Sequence, residues 1–161
     1  TKDFVTSIQS RINSMAIVHE SLYRDDMSDS VDFEQYVRNL IDHVKHTFEK
    51  KDQKIAISYA FDPVNLSLEK IILLGLIINE SVSNVFKYLH TDRGNQLFIS
   101  LQVYTDECVL SIRDDGPGFE PKKVNKTSLG LKLIKMMVKQ LEASYSITSG
   151  NGVEHRIQFK I

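Results

Sequence analysis

The stretch from Ile71 to Tyr88, which reads IILLGLIINESVSNVFKY, constrains the fold of this chain most strongly. Its apolar residues continue nearly all the way round a helix, and a helix of that kind is buried in the protein interior. Glu80, Asn84 and Lys87 are spaced i, i+4 and i+7, so they share one face of the helix. Because a buried charge is costly unless something pairs with it, this polar face is a candidate binding site. From the charge spacing alone, a solvated Glu–Lys pair is the alternative interpretation.

The rest of the chain predicts an alternation of helices and strands around this central helix. Helical spacing of apolar residues predicts further helices over residues 4–23, after an Asp32 N-cap, and from Ser128 onward, while Ser67 would cap the central helix. Alternating apolar residues predict strands over residues 55–61, 97–103, 108–112, 145–147 and 153–161. Because hairpins dominate this order, we expect an α/β two-layer sandwich. Its mixed, mostly antiparallel sheet would carry the helices on one face and follow an N-terminal helix.

Length and composition exclude several classes of protein. A chain of 161 residues fits one domain with a short appendage, and its net charge of −1 gives no basic field for nucleic acid or a membrane surface. The single cysteine, Cys108, cannot form an internal disulfide, which suits a reducing cytoplasm. We expect no membrane span and no signal peptide. Since Thr1 already lies in helical pattern, we expect a fragment of a longer protein.

A loop rich in glycine and aspartate follows the third predicted strand. Residues 113–119 read RDDGPGF, in which Asp114 supplies a fixed hydrogen-bond acceptor. Gly116 and Gly118 let the backbone approach a ligand closely. A plain surface turn is the alternative, because aspartate, glycine and proline are also the usual turn residues.

A second short motif, TSLGL over residues 127–131, opens the last predicted helix. The free N–H groups and the dipole at a helix N-terminus favour an anion such as phosphate. The alternative is that Ser128 is an N-cap and nothing more.

Taken together, the three motifs resemble those of a known family. NESVSNVFKY resembles the N box of the GHKL ATPases, DDGPGF resembles their first glycine box, and SLGLKLI resembles their second. Residues 11–23, RINSMAIVHESLY, resemble the connector of sensor histidine kinases that carry the second type of phosphoacceptor domain and are close to the HWE kinases. The resemblance implies a connector helix over residues 1–24, at the end of the dimerisation region. It also implies an ATP-binding catalytic domain with the Bergerat fold over residues 31–161.

The resemblance also implies roles for individual residues, with ATP and Mg²⁺ as the ligands. Asn84 would hold Mg²⁺ against the triphosphate, and Glu80 would act as the base or orienter for the acceptor histidine. Lys87 and Tyr88 would line the nucleotide, and Asp114 would accept a hydrogen bond from the adenine amino group. The remaining nucleotide-binding residues would be Gly116, Gly118, Phe119, Ser128, Leu129, Gly130 and Leu131.

The activity implied is that of a two-component sensor kinase. The γ-phosphoryl group of ATP would pass to a histidine and then to an aspartate of a response regulator receiver domain. The full-length protein would be a homodimer through upstream helices, with this portion in the cytoplasm and without direct contact to membrane or nucleic acid. No HRxKN-like acceptor motif is present and His19 is not the acceptor, so we do not expect this fragment to autophosphorylate. Residues 120–127 are short for an ATP lid.

Two other functions compete with this interpretation. A GHKL serine kinase of the anti-sigma type would share the ATP-binding fold, but the SRINSMAIVHESLY segment argues against it because such proteins lack that helix. A docking or dimerisation module that has lost ATP binding is the non-enzymatic alternative. We rank it last because all three motifs keep their chemically active residues.

Overall fold

The computed structural model describes residues 31–50, 54–88, 96–118 and 129–161, together with single helical residues of the N-terminal region. Those residues are Val5, Ile8, Gln9, Ile12, Asn13, Ala16 and Glu20. In this part of the chain the helices are α1 (Phe33–Phe48), α2 (Leu68–Tyr88) and α3 (Leu129–Gln140). The strands are β1 (Ala56–Phe61), β2 (Gln96–Val103), β3 (Glu107–Asp114), β4 (Ser144–Gly150) and β5 (Gly152–Lys160). The predictions about His19 and about the lid at residues 120–127 lie outside the described residues.

Two helices begin where the sequence places their caps. The Asp32 carboxylate accepts a hydrogen bond from the Gln35 backbone N–H at 3.0 Å, at the start of α1. The Ser67 hydroxyl accepts one from the Lys70 backbone N–H at 3.4 Å, at the start of α2. Each bond satisfies one of the N–H groups that a helix N-terminus leaves without an internal partner. Both predicted N-caps are confirmed.

The five strands form one mixed sheet in the order β1-β2-β3-β5-β4. β1 pairs with β2 in parallel, and the other three pairings are antiparallel. The parallel pair follows from α2, which carries the chain from the end of β1 to the start of β2. The predicted fold, a mostly antiparallel sheet with helices on one face, is confirmed.

The core lies between the sheet and the helices, and α2 is at its centre. α1 and α3 both pack against α2, and α2 itself contacts β3. Apolar side chains alternate along the three inner strands and point toward the helices. The buried members of that set are Leu97, Ile99, Leu101, Cys108, Leu110, Ile112, Ile157 and Phe159.

α2 has the length and composition of a membrane-crossing helix, although no membrane span is expected from the sequence. Among the described residues it is the helix that meets this test, with 21 residues and a hydropathy of 1.3 over its most apolar window. In the fold, 67% of that window is buried inside the protein. Burial against the sheet and two helices is what a core helix requires.

α1 and α2 approach each other at a glycine. A Cβ atom added to Gly75 would overlap the Tyr36 hydroxyl and would lie 2.8 Å from Cζ of the same ring. Tyr36 is almost completely buried, and this burial raises the pKa of its phenol. The absent side chain at Gly75 therefore lets an aromatic ring lie directly on the backbone of the central helix.

His155 is a core residue of β5. It is 6% exposed, and Nδ1 of its ring is hydrogen-bonded to the Tyr145 hydroxyl at 2.8 Å. The two rings stack with an interplanar angle of 22°. Burial lowers the pKa of His155 to about 4, so the imidazole is neutral at physiological pH. This confirms that strand alternation turns His155 inward, where it has a hydrogen-bond partner.

We expect Gly75→Ala to destabilise the domain by about 1–3 kcal/mol, because the new methyl group has to displace the Tyr36 ring. In an ordinary helix interior the same change is stabilising by about 1 kcal/mol, so the sign of the effect tests the contact. Urea denaturation of both proteins measures the difference. Gly150→Ala is the control, since a Cβ at Gly150 meets nothing within 4 Å. Equal stability of Gly75→Ala and the parent would contradict the close approach.

We expect the free energy of unfolding to fall as the pH decreases from 6.5 to about 4, because the unfolded chain then binds a proton that buried His155 does not. The contribution of His155 is complete above pH 6.5 and lost near pH 4. A double variant, His155→Phe with Tyr145→Phe, should show a shallower decline in chemical denaturation between these pH values. Burial raises the pKa of Asp114, which makes the free energy of unfolding change with pH in the opposite direction. The parent and the double variant share this contribution, so it does not affect their comparison. Parallel pH profiles would exclude His155 as the cause.

Candidate functional site

The first turn of α3 lies directly on the polar face of α2. A Cβ atom built on Gly130 would be 3.1 Å from Oε2 of Glu80 and 3.7 Å from Nδ2 of Asn84. Because glycine has no side chain, the backbone of α3 comes within contact distance of a carboxylate and an amide. Two of the motifs that the sequence singles out therefore meet in space.

The three side chains of the polar face of α2, Glu80, Asn84 and Lys87, do not all point in the same direction. Glu80 is 6% exposed and Asn84 is half-buried, and both face Gly130. The Lys87 ammonium lies instead over the Phe48 ring of α1, 4.7 Å from its centroid, in a cation–π contact. Tyr88 is 71% exposed. Lys87 would have to change rotamer to meet a phosphate held at Gly130, so its predicted role is not visible in this geometry.

Asp114, the last residue of β3, holds its carboxylate in a fixed orientation. It is 7% exposed, and its Oδ1 accepts hydrogen bonds from the backbone N–H groups of Gly116 at 2.9 Å and Val153 at 3.3 Å. Desolvation raises the pKa of this carboxyl, although the two backbone bonds act in the opposite direction. Since both bonds use Oδ1, Oδ2 is the oxygen that an incoming donor would meet.

The turn between β4 and β5 supports this carboxylate, and sequence reasoning missed its contribution. Gly152 has a φ of 97°, and a Cβ there would overlap the Asp114 carbonyl oxygen and lie 2.8 Å from its carbonyl carbon. Gly118 has a φ of 70°, and a Cβ there would lie 2.7 Å from the Gly150 carbonyl oxygen. Both positions need glycine for conformation and for space. The Asn151-Gly152 turn was the available signal, but nothing local connects it to Asp114.

The remaining predicted residues have different surroundings. Gly116 contributes the N–H that orients Asp114. Leu129 is exposed at the start of α3, and Leu131 is half-buried against the core. Phe119 and Ser128 lie outside the described residues. The structure thus brings Glu80 and Asn84 together with Gly130, and supports Asp114 from the β4–β5 turn.

A cavity of about 570 Å³ lies in a different part of the fold. Residues 31–34, residues 61–65 and Leu101 line it, next to the N-terminus of α1. None of the residues predicted from the motifs contributes to its wall. We therefore place the candidate site at the contact between α2 and α3, where the chemistry of the side chains converges.

The donor groups around Gly130 fit a magnesium–phosphate ligand. Amide and carboxylate oxygens are the hard ligands that Mg²⁺ prefers, and Mg²⁺ commonly takes only one or two of them from a protein and the rest from phosphates and water. In the described part of the chain, no three His, Cys, Asp or Glu side chains come together as a metal cluster. The Asn84 amide beside Gly130 and the Glu80 carboxylate supply oxygens of this kind.

Two family models match the chain. Residues 1–48 match a model described as histidine kinase (HisKA_2). Residues 69–161 match a model described as histidine kinase-, DNA gyrase B-, and HSP90-like ATPase (HATPase_c). A comparison with curated proteins gave no match.

Solved structures with the same fold include two of one blue-light activated histidine kinase. The histidine kinase domain of the Erythrobacter litoralis EL346 blue-light activated histidine kinase is 18% identical, with a TM-score of 0.81 over 95% of this chain and 74% of that one. In the longer structure of the same kinase, this chain spans 53% of the length. The mycobacterial sensor histidine kinase MprB is 18% identical, with a TM-score of 0.62 over 81% of this chain and 95% of that one.

These likenesses establish the fold, and the second model covers more than half of the chain. Its match begins at residue 69 in α2 and ends with β5, so it contains Glu80, Asn84, Asp114 and Gly130. The chain therefore belongs to the histidine kinase-, DNA gyrase B-, and HSP90-like ATPase family and contains the ATPase domain of a histidine kinase.

Proposed function

We propose that this domain binds Mg-ATP between α2, α3 and the end of β3, and transfers the γ-phosphoryl group to a histidine. The observation that carries the proposal is the contact of the Gly130 backbone with Glu80 and Asn84. This contact brings the first turn of α3 close to the Asn84 amide and the Glu80 carboxylate, which supports the proposal. Phosphoryl transfer depends mainly on positioning and on charge neutralisation, and these groups supply both.

Asp114 would recognise the base. Its Oδ1 is occupied by backbone N–H groups, so Oδ2 would accept a hydrogen bond from the exocyclic amino group of adenine. A carboxylate that is held rigidly and largely buried forms a stronger and more selective hydrogen bond than an exposed one. The β4–β5 turn would keep the acceptor in place while the nucleotide enters and leaves.

Asn84 and the first turn of α3 would hold the phosphates. The Asn84 amide oxygen is a suitable Mg²⁺ ligand, and Gly130 lets backbone approach the same point. Magnesium, when bound, neutralises the charge that builds up on the phosphate oxygens during transfer. The helix N-terminus adds partial positive charge.

Glu80 would orient or deprotonate the acceptor imidazole. Its carboxylate lies beside Gly130, as the Asn84 amide does, and Glu80 is largely buried. The acceptor would belong to a dimeric helical region preceding this chain, in the cytoplasm, and the phosphoryl group would pass on to a response regulator receiver domain. Acid-labile label from γ-labelled ATP on a longer protein that includes that region tests the transfer. Acid-stable label would instead indicate a hydroxyl acceptor.

We expect Asn84→Ala to abolish the part of nucleotide affinity that depends on magnesium, because the variant removes the amide ligand. Titration of a fluorescent ATP analogue should give a dissociation constant at least about tenfold higher with Mg²⁺, and an unchanged one without it. Asn39→Ala, on the exposed face of α1, is the matched control and should bind as the parent does. Absence of saturable binding by the parent at millimolar nucleotide would overturn the proposed function.

We expect Asp114→Asn to weaken adenine nucleotide binding by about tenfold or more, because an amide NH₂ would oppose the amino group of the base. The amide oxygen can still accept from Gly116 and Val153, so the thermal midpoint should change little. Asp115→Asn is the control, since the Asp115 carboxylate bonds the Gln96 backbone N–H at 2.8 Å. Calorimetry with ADP and with tripolyphosphate separates the two subsites. An equal loss of affinity for ADP and for tripolyphosphate would contradict base recognition by Asp114.

A further inference from the structure

α2 contains two buried serines that differ in one respect. Ser81 is 1% exposed, and within the described part of the chain its hydroxyl is the buried side-chain atom that has no hydrogen-bond partner. Ser83 is also buried, but its hydroxyl donates to the backbone carbonyl of Asn79 one turn earlier. Buried polar groups in native proteins nearly always have partners, so a buried hydroxyl without one calls for an explanation.

Ser81 lies between the polar face of α2 and the side that faces the sheet. At 3.6 residues per turn it is about 60° round the helix from Asn84, which faces Gly130 of α3. Gly75, on the opposite side of α2, faces α1. Val85, one turn after Ser81, is buried, and α2 contacts β3 as well as the two helices. The Ser81 side chain therefore points into the corner between α2, α3 and the strand that ends at Asp114.

A nucleotide bound in this corner would need a hydrogen-bond donor besides the described backbone N–H groups next to Asp114. Asp114, when ionised, is only an acceptor and can take the hydrogen of the adenine amino group. The neighbouring N–H groups of Gly116 and Val153 already donate to Oδ1 of Asp114. The ring nitrogen beside the amino group is an acceptor, and its hydrogen bond has to come from another residue. A serine hydroxyl can both donate and accept.

We propose that Ser81 is a further nucleotide-binding residue, whose hydroxyl donates to the adenine ring nitrogen beside the amino group, directly or across one water. This inference rests on the proposed function and adds a specificity-determining contact to it. In the nucleotide-free protein the buried hydroxyl has no partner, and this lowers the free energy of unfolding. Binding satisfies the hydroxyl and gains its hydrogen bond.

The two serines make a matched test with opposite expected outcomes. Ser81→Ala should leave the thermal midpoint of the nucleotide-free protein unchanged or raise it, since it removes an unsatisfied polar group, and should weaken ADP binding about three- to tenfold. Ser83→Ala should lower the midpoint, because it removes a buried hydrogen bond, and should leave the ADP dissociation constant unchanged. Differential scanning fluorimetry and isothermal calorimetry give both quantities.

An ADP analogue in which carbon replaces that ring nitrogen (1-deaza-ADP) identifies the atom. The parent should bind the analogue more weakly than ADP, whereas Ser81→Ala should bind the two with similar affinity, because the hydrogen bond is already lost. Unchanged ADP affinity in Ser81→Ala, or a preference for ADP as large as that of the parent, would overturn the role of Ser81 and leave the proposed function standing. A parent protein that does not bind ADP would overturn both.

Discussion

The burial of α2 on three sides is the constraint on which the rest of this structure depends. α1, α3 and the sheet each cover one part of its surface, and its apolar residues supply much of the core. Packing this close leaves little space for an added atom, as the contact of Gly75 with the Tyr36 ring shows. Glu80 and Asn84 lie on the part of the helix that faces the start of α3. The position of the candidate site therefore follows from how the core is built.

The same constraint explains why the polar groups of the site are so well shielded. The carboxylates of Glu80 and Asp114 are each more than nine-tenths buried. Burying a carboxylate is unfavourable in free energy unless other groups pair with it. Asp114 offsets part of that cost with two backbone hydrogen bonds. At Asn84 a metal ion and phosphate would complete the coordination, and at Ser81 a base would supply the absent partner. A site of this kind is less than fully satisfied until its ligand arrives, so ligand binding and stability are coupled.

Features set by neighbours in the chain could be predicted from the sequence, whereas features set by the approach of distant segments could not. Apolar periodicity and side-chain chemistry are local, and they predicted the Asp32 cap and the inward orientation of His155 correctly. The cation–π contact of Lys87 depends on where the end of α1 lies, and no local pattern encodes it. The same holds for the Val153 N–H that reaches Asp114 from β5. The roles of Glu80 and its neighbours in chemistry stay predictions, since they rest on motif resemblance and on proximity.

The hydrogen bond from Val153 to Asp114 has a consequence for how the domain is made. Of the five described strands, β5 comes last in the sequence, and it lies between β3 and β4 in the sheet. During synthesis β3 therefore emerges without its second neighbour, and the Asp114 carboxylate acquires its second backbone donor only after β5 has been translated. An incomplete chain that ends in β4 would have the helix carrying Asn84 but an exposed edge on β3 and a loosely held acceptor. The adenine recognition proposed for Asp114 would therefore require β5, and a nascent domain would acquire it only after that strand has been made.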